Sequence, residues 1–307
     1  MQTTRDLIDR LKTDRTLRVL CGWRYARDIP SEAKFSRVFD EFSQLRIAQK
    51  THQQFIQEYL SDTLFMYSAS DATAIEMRQK AEKKEEVEPK IKRKRGRPKK
   101  GEKASPKKPT ILEQQKEMTN TEEMLSLLST KCNVGVKKNS KGYKETWVGG
   151  KLHISAVDGD IPVTAIFTSA SVHDSSVALP LIKETSGKLN YLYDLLDAGY
   201  DADIIREYSK TYGHRPIIDI NPKNSKELKA QIALAKEEKV KFKFLHMPIS
   251  SDTHHYNQRS MVERVNAYLK DNFGCNEIYY QGASKVSSVL QFAVLSLCIH
   301  QSLKLVT

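Results

Sequence analysis

Apolar residues recur at helical intervals through LIDRLKTDRTLRVLCGW (7–23) and AKFSRVFDEF (33–42), with Pro30-Ser31 offering a turn and an N-cap before the second run. Thr51–Leu60 adds a third helical segment, so residues 1–60 predict a small all-α module. The pattern then changes period. Residues 61–78, beginning SDTLFMYSASDATAIE, are rich in β-formers and predict a strand with Asp71 towards its end. KLHISAV (151–157), the turn Asp158-Gly159 and IPVTAIFTSAS (161–171) predict a β-hairpin. A helix follows from Val177, capped by Asp174 or Ser175, and YLYDLLDAGY (191–200) predicts a buried strand ending at Asp197. A helix over 201–211, a short strand over 215–221, a polar Lys-rich stretch, a helix over 256–270 and an apolar core helix over 286–306 complete the chain. VKFKF (240–244) suits either an edge strand or a DNA-facing loop.

Two antiparallel strands followed by α/β alternation predict a mixed sheet covered by helices. The order of elements resembles that of a ribonuclease-H-like fold, in which the first and fourth strands are neighbours. Asp71 and Asp197 are then expected side by side, with the helix carrying Glu263 beside them. Two strand-end carboxylates and a third on a helix suit a hard divalent cation such as Mg²⁺. Each Asp taken singly is also an ordinary turn or cap residue.

Residues 79–140 break the alternation. From about 79 to 120 there is almost no large apolar residue before Ile111-Leu112, so the stretch is expected to be a mostly disordered insertion between 61–78 and the remainder, 141–307. Of the net charge of +12, the segment KRKRGRPKKGEKASPKK (92–108) carries +9. The positive excess is therefore one strip, whose natural partner is a polyanion. Within it, Arg95-Gly96-Arg97-Pro98 is the core of an AT-hook, where Gly lets an extended backbone lie in a narrow minor groove floored by arginines. A solvated cationic linker and a nuclear-import signal are the other readings of the strip. The four cysteines have no paired spacing, which argues against zinc patterns and a disulfide framework. No run of eighteen apolar residues exists, so no membrane span is expected.

The helix at 256–270 carries the most specific chemistry. Tyr256, Arg259, Glu263 and Lys270 stand at offsets of zero, three, seven and fourteen. At about 100° per residue they fall at roughly 0°, 300°, 340° and 320°, while Met261, Val262, Val265 and Leu269 take the opposite side. A carboxylate flanked by two cations and a phenol suits a metal-bound phosphate. An amphipathic surface helix with ordinary charges gives the same pattern. His254-His255 and His173 read as loop and turn residues, Trp23 and Trp147 as core.

Tyr256-x2-Arg259-x3-Glu263-x6-Lys270 matches the YREK signature of insertion-sequence DDE transposases in all its spacings. Asp71-Ala-Thr resembles that family's first-aspartate motif, Asp197-Ala-Gly-Tyr-Asp its second, and Ser171-Val-His-Asp174 the segment before its post-hairpin helix. GWRYARDIPSEAKFSRVFDEF looks like the helical domain that precedes the catalytic part. The resemblance spans about 15–80 and 140–305. The basic insertion is longer than the pattern, and the helical module starts almost at Met1, as expected of a shortened one.

The resemblance implies a DNA transposase that cleaves transposon ends and joins the freed 3′-OH to target DNA. Asp71, Asp197 and Glu263 would hold two Mg²⁺ ions, with Mn²⁺ able to substitute, and Tyr256, Arg259 and Lys270 would grip phosphates. Its partners would be double-stranded terminal inverted repeats and target DNA, its state a homodimer on paired ends, and its place the prokaryotic cytoplasm, at the nucleoid. Two competing readings are a catalytically idle, transposase-derived DNA-binding protein and a ribonuclease-H-like nuclease without strand transfer. The intact acid set weighs against the first and the signature spacing against the second.

Overall fold

The computed structural model describes residues 3–82, 109–138, 141–223, 225–244 and 251–306. Four helices lead: α1 (Thr4–Thr13), α2 (Arg15–Leu20), α3 (Glu32–Gln44) and α4 (Ile47–Tyr59). Asp14 interrupts the first apolar run: its side chain caps α2 through the Leu17 N–H while its backbone N–H closes α1 on Arg10. Ser31 caps α3, as the sequence predicts.

The first strand, β1 (Leu64–Met77), is fourteen residues long and carries Asp71 near its middle rather than at its end. After it come α5 (Ile111–Glu117), α6 (Thr121–Ser126), β2 (Asn133–Lys138), β3 (Lys144–Val157) and β4 (Ile161–Ser169). The expectation of a mostly disordered 79–140 is thus corrected for 109–138. Capping by Thr110 and Asn120 starts the two short helices. Buried Met124 and Gln115 anchor them, the Gln115 amide donating to the carbonyls of Met124 and Ser176. The basic strip, including Arg95, Gly96, Arg97 and Pro98, lies outside the described residues.

Next are α7 (Ala178–Ser186), β5 (Asn190–Leu196), α8 (Asp203–Thr211), β6 (Arg215–Ile218), α9 (Lys226–Phe244), α10 (Ser251–Asn257), α11 (Ser260–Phe273), β7 (Glu277–Ile278) and α12 (Ala283–Val306). The Lys-rich stretch is helical, and VKFKF is the last turn of α9, neither strand nor loop. Lys, Glu, Ala and Leu are strong helix formers even where no apolar stripe announces the helix.

Among the described residues, seven strands form one mixed sheet in the order β2-β3-β1-β5-β6, with β4 on β3 and β7 on β1. The hairpin strands β3 and β4 are antiparallel, and β1 runs antiparallel to β3 but parallel to β5. One face packs under α11 and α12 through Ala69, Leu152, Ile154, Leu195, Val262, Val265 and Leu290. The other packs under α7 and α8 through Leu196, Leu179, Ile205 and Tyr200. α12 is long and apolar enough to cross a membrane by length and composition, but here it packs against α3, α4, α11 and β4.

Candidate active site

The register of β1 and β5 builds the site. Ser70 pairs with Leu196, and the next residue along each chain is an aspartate, Asp71 within β1 and Asp197 just past the end of β5. Neighbouring strands are about 4.8 Å apart, which brings the two acids to one spot. Asp71 shares the face of Ala69 and Ile154, the side covered by α11. β5 stops here. On that edge β1 pairs with β5 up to Ser70 and with β7 only from Glu76, so among the described residues Asp71–Ile75 have a strand partner only on the other side, in β3.

Both carboxylates are held. Asp71 Oδ2 accepts from Asn266 Nδ2 at 3.2 Å. Asp197 caps a 3-10 turn, Ala198–Tyr200, its Oδ1 accepting the Gly199 N–H at 2.8 Å. Burial pushes the Asp71 carboxyl up to about 6, helped by the charges of Asp197 and Asp174 and opposed by a backbone hydrogen bond at Ala72 and by Arg259. Burial likewise raises Asp197, against the Gly199 N–H and Arg259. Two acids forced together out of water resist ionising together.

Arg259 is the cation among them. Burial works against its charge, but Tyr256, Glu263, Asp71 and Asp197 together outweigh that and raise its titration. Glu263, in the first turn of α11, pairs directly with the Arg259 guanidinium. Tyr256 stands 5.8 Å from that guanidinium by its ring centroid, and burial and a hydrogen bond to Asp219 hold its hydroxyl protonated.

Tyr256–Lys270 is not one continuous α-helix. α10 ends at Asn257, and the N–H groups of Gln258, Arg259, Met261 and Val262 bond three residues back, tightening the chain before α11. Tyr256, Arg259 and Glu263 nevertheless converge. Lys270 does not join them: it lies about 10 Å further along α11 than Glu263. Burial and Lys137 lower its titration, with Glu76 at the far end of β1 opposing.

A fourth carboxylate completes the surroundings. Asp174 accepts from Lys151 Nζ at 2.8 Å and lies 4.0 Å from His153 Nδ1. His153 is fully buried, which lowers it to about 4 and leaves the ring neutral. Neither Asn266 nor Tyr200 stood out in the sequence as a site residue. For Asn266 there was a signal, an amide embedded in the apolar face Met261, Val262, Val265, Leu269.

The donor set fits a hard divalent cation: carboxylate oxygens around one positive guanidinium, with Asp71 held above the usual carboxylate range. Among the described residues, no three His, Cys, Asp or Glu side chains already stand at ion-holding distance. Glu263 is turned onto Arg259 instead.

A mixed sheet in this order, helices on both faces, and an aspartate on β1 beside another just past the end of its parallel neighbour β5 are consistent with a ribonuclease-H-like fold. Residues 68–299 match the family model of the transposase DDE domain. The chain belongs to that family, and it is a DDE transposase. No curated protein and no solved structure matches it.

Proposed function

We propose that this transposase cleaves DNA at the ends of its element and joins the freed 3′-OH to target DNA, with Asp71, Asp197 and Glu263 as the catalytic acids. The observation that carries the reading is the convergence of Asp71, Asp197 and Glu263 on Arg259. The spacing of Tyr256, Arg259, Glu263 and Lys270 supports membership of the YREK group.

The three acids would hold two Mg²⁺ ions, or Mn²⁺ in their place. Bound there, the ions would supply Lewis-acid stabilisation of the phosphoryl oxygens in an in-line displacement. In the first step water attacks phosphorus at the element's end, breaking the P–O3′ bond and leaving a 3′-OH and a 5′-phosphate. In the second, that 3′-OH attacks a target phosphodiester and displaces the target's own 3′-oxygen. Arg259 bears on a phosphate oxygen through its fork of donors and Tyr256 through its protonated hydroxyl. Lys270, further along α11, meets the DNA backbone outside the reacting phosphate. The partners are double-stranded inverted repeats and target DNA, bound by a homodimer in a prokaryotic cytoplasm, with the Arg95–Pro98 hook adding minor-groove affinity.

The test is Mg²⁺-dependent cleavage and joining of DNA carrying the flanking inverted repeats, wild type against Glu263→Gln. Loss of both steps in a folded variant is expected. Equal activity would show the acid assignment to be wrong.

A further inference from the structure

One buried group beside the acids has no partner. Tyr200 ends the 3-10 turn that Asp197 caps, is 1% exposed and packs its ring among Leu179, Leu196 and Ile205. Its hydroxyl finds no hydrogen bond among the described residues. After burial, the charges that bear on that hydroxyl most are Asp174, Asp71 and Asp197, in that order. Leaving a phenol buried without a partner is destabilising. This one stands in the turn that Asp197 caps, and that turn packs on the 3-10 turn Asp174–Val177 that begins with Asp174.

The neighbouring bonds show what is left for it. Asp71 already accepts from Asn266, Asp197 from Gly199, and Asp174 from Lys151. Asp71 also accepts a backbone hydrogen bond at Ala72, so each acid has one or two donors, and a carboxylate has about four lone-pair sites. When acids turn to hold a cation, their remaining lone pairs are usually fixed by hydrogen bonds from behind. Tyr200, three residues from Asp197, is a buried donor with no partner among the described residues.

We propose that Tyr200 is a positioning residue for the acid cluster: its hydroxyl donates to one of these carboxylates when they turn onto a divalent cation. The inference rests on the proposed role of Asp71 and Asp197. It predicts a split between two properties of Tyr200→Phe. Without metal, removing an unpartnered hydroxyl leaves stability equal to wild type or higher. With metal, the loaded arrangement loses a bond.

The experiment follows thermal unfolding of the full chain while Mg²⁺, and separately Ca²⁺, is titrated into wild type, Tyr200→Phe and Asp71→Asn. The expected result is a Tyr200→Phe melting point no lower than wild type in chelator, with a metal midpoint about tenfold weaker. Cleavage by this variant should recover towards wild type as Mg²⁺ is raised. A midpoint within twofold of wild type overturns the proposal. So does a clear loss of metal-free stability, which would mean that the hydroxyl is already bonded. If Asp71→Asn responds to metal as wild type does, the acid site itself falls and this inference with it. If only Asp71→Asn loses the response, the acid site stands and the role of Tyr200 alone is refuted.

Discussion

Replacing Asp71 with Asn should stabilise the metal-free protein at neutral pH and destroy its activity. The two carboxyl forms of Asp71 differ in how well the fold tolerates them. Its titration is raised from 3.8 to about 6, mainly by burial. Each unit corresponds to about 1.4 kcal/mol, so ionising Asp71 in the folded state costs at most about 3 kcal/mol more than in the unfolded chain. The side chain is only partly buried, and relaxation will reduce the figure towards about 1–2 kcal/mol. The sign follows from proton counting. Between about pH 4 and 6 the folded state binds more protons than the unfolded one, so stability is fullest below that window and falls as pH rises through it. Above pH 7 the whole cost stands. Asparagine is neutral throughout, and its carbonyl can still accept from Asn266.

The assay is urea unfolding in chelator at pH 4.5 and 7.5, followed by the same measurement with Mg²⁺. At pH 7.5 without metal, Asp71→Asn should be the more stable protein, and at pH 4.5, inside the window, the difference should shrink to about a third of that. Saturating Mg²⁺ should then reverse the order. An ion present at a hundred times its dissociation constant adds about 2.7 kcal/mol to the protein that binds it and nothing to one that does not. A variant at least 1 kcal/mol less stable than wild type at pH 7.5 in chelator, or a difference independent of pH, would refute the reasoning.

Gly199→Ala should lower cleavage at least about tenfold with little change in melting temperature, because a Cβ there would stand 2.9 Å from Asp197 Oδ1 and displace the carboxylate; unchanged cleavage rates would show that the acid tolerates the shift. Arg259→Lys keeps the charge but loses the planar fork that meets Glu263, so single-turnover cleavage should fall about tenfold and Lys should not behave as a conservative change; equal rates would mean that charge alone suffices. Deleting 92–108, with its net charge of +9, should flatten the salt dependence of DNA binding by several units of log K per log salt, about 0.9 for each phosphate the strip no longer neutralises; an identical slope between 50 and 200 mM salt would show that the strip does not touch DNA.

What could be read from the sequence was whatever depends on neighbours along the chain. β-forming composition marked the strands that carry Asp71 and lead to Asp197, and the resemblance of the element order to a ribonuclease-H-like fold then put the two acids together, as the Ser70–Leu196 register does. The face of α11 was legible because Met261, Val262, Val265 and Leu269 repeat at the helical period and are buried. The failures share a cause, which is distance along an axis or across the fold. A helical wheel keeps angle and discards rise, so Lys270 looked like a neighbour of Glu263 although about 10 Å of helix separates them. The wheel also assumed one uniform helix, whereas the turn at Gln258-Arg259 is wound more tightly. α9 has strong helix formers but no stripe, so periodicity could not find it. Asp174 reaches the acid cluster only because the chain after the hairpin folds back beside it, a contact that no local spacing encodes, whereas Tyr200 follows Asp197 by three residues in the turn that Asp197 caps. The acids that define the chemistry sit on regular elements and announce themselves by pattern. The groups that orient them come from turns and buried faces, where a polar residue among apolar ones, such as Asn266, is the only local trace.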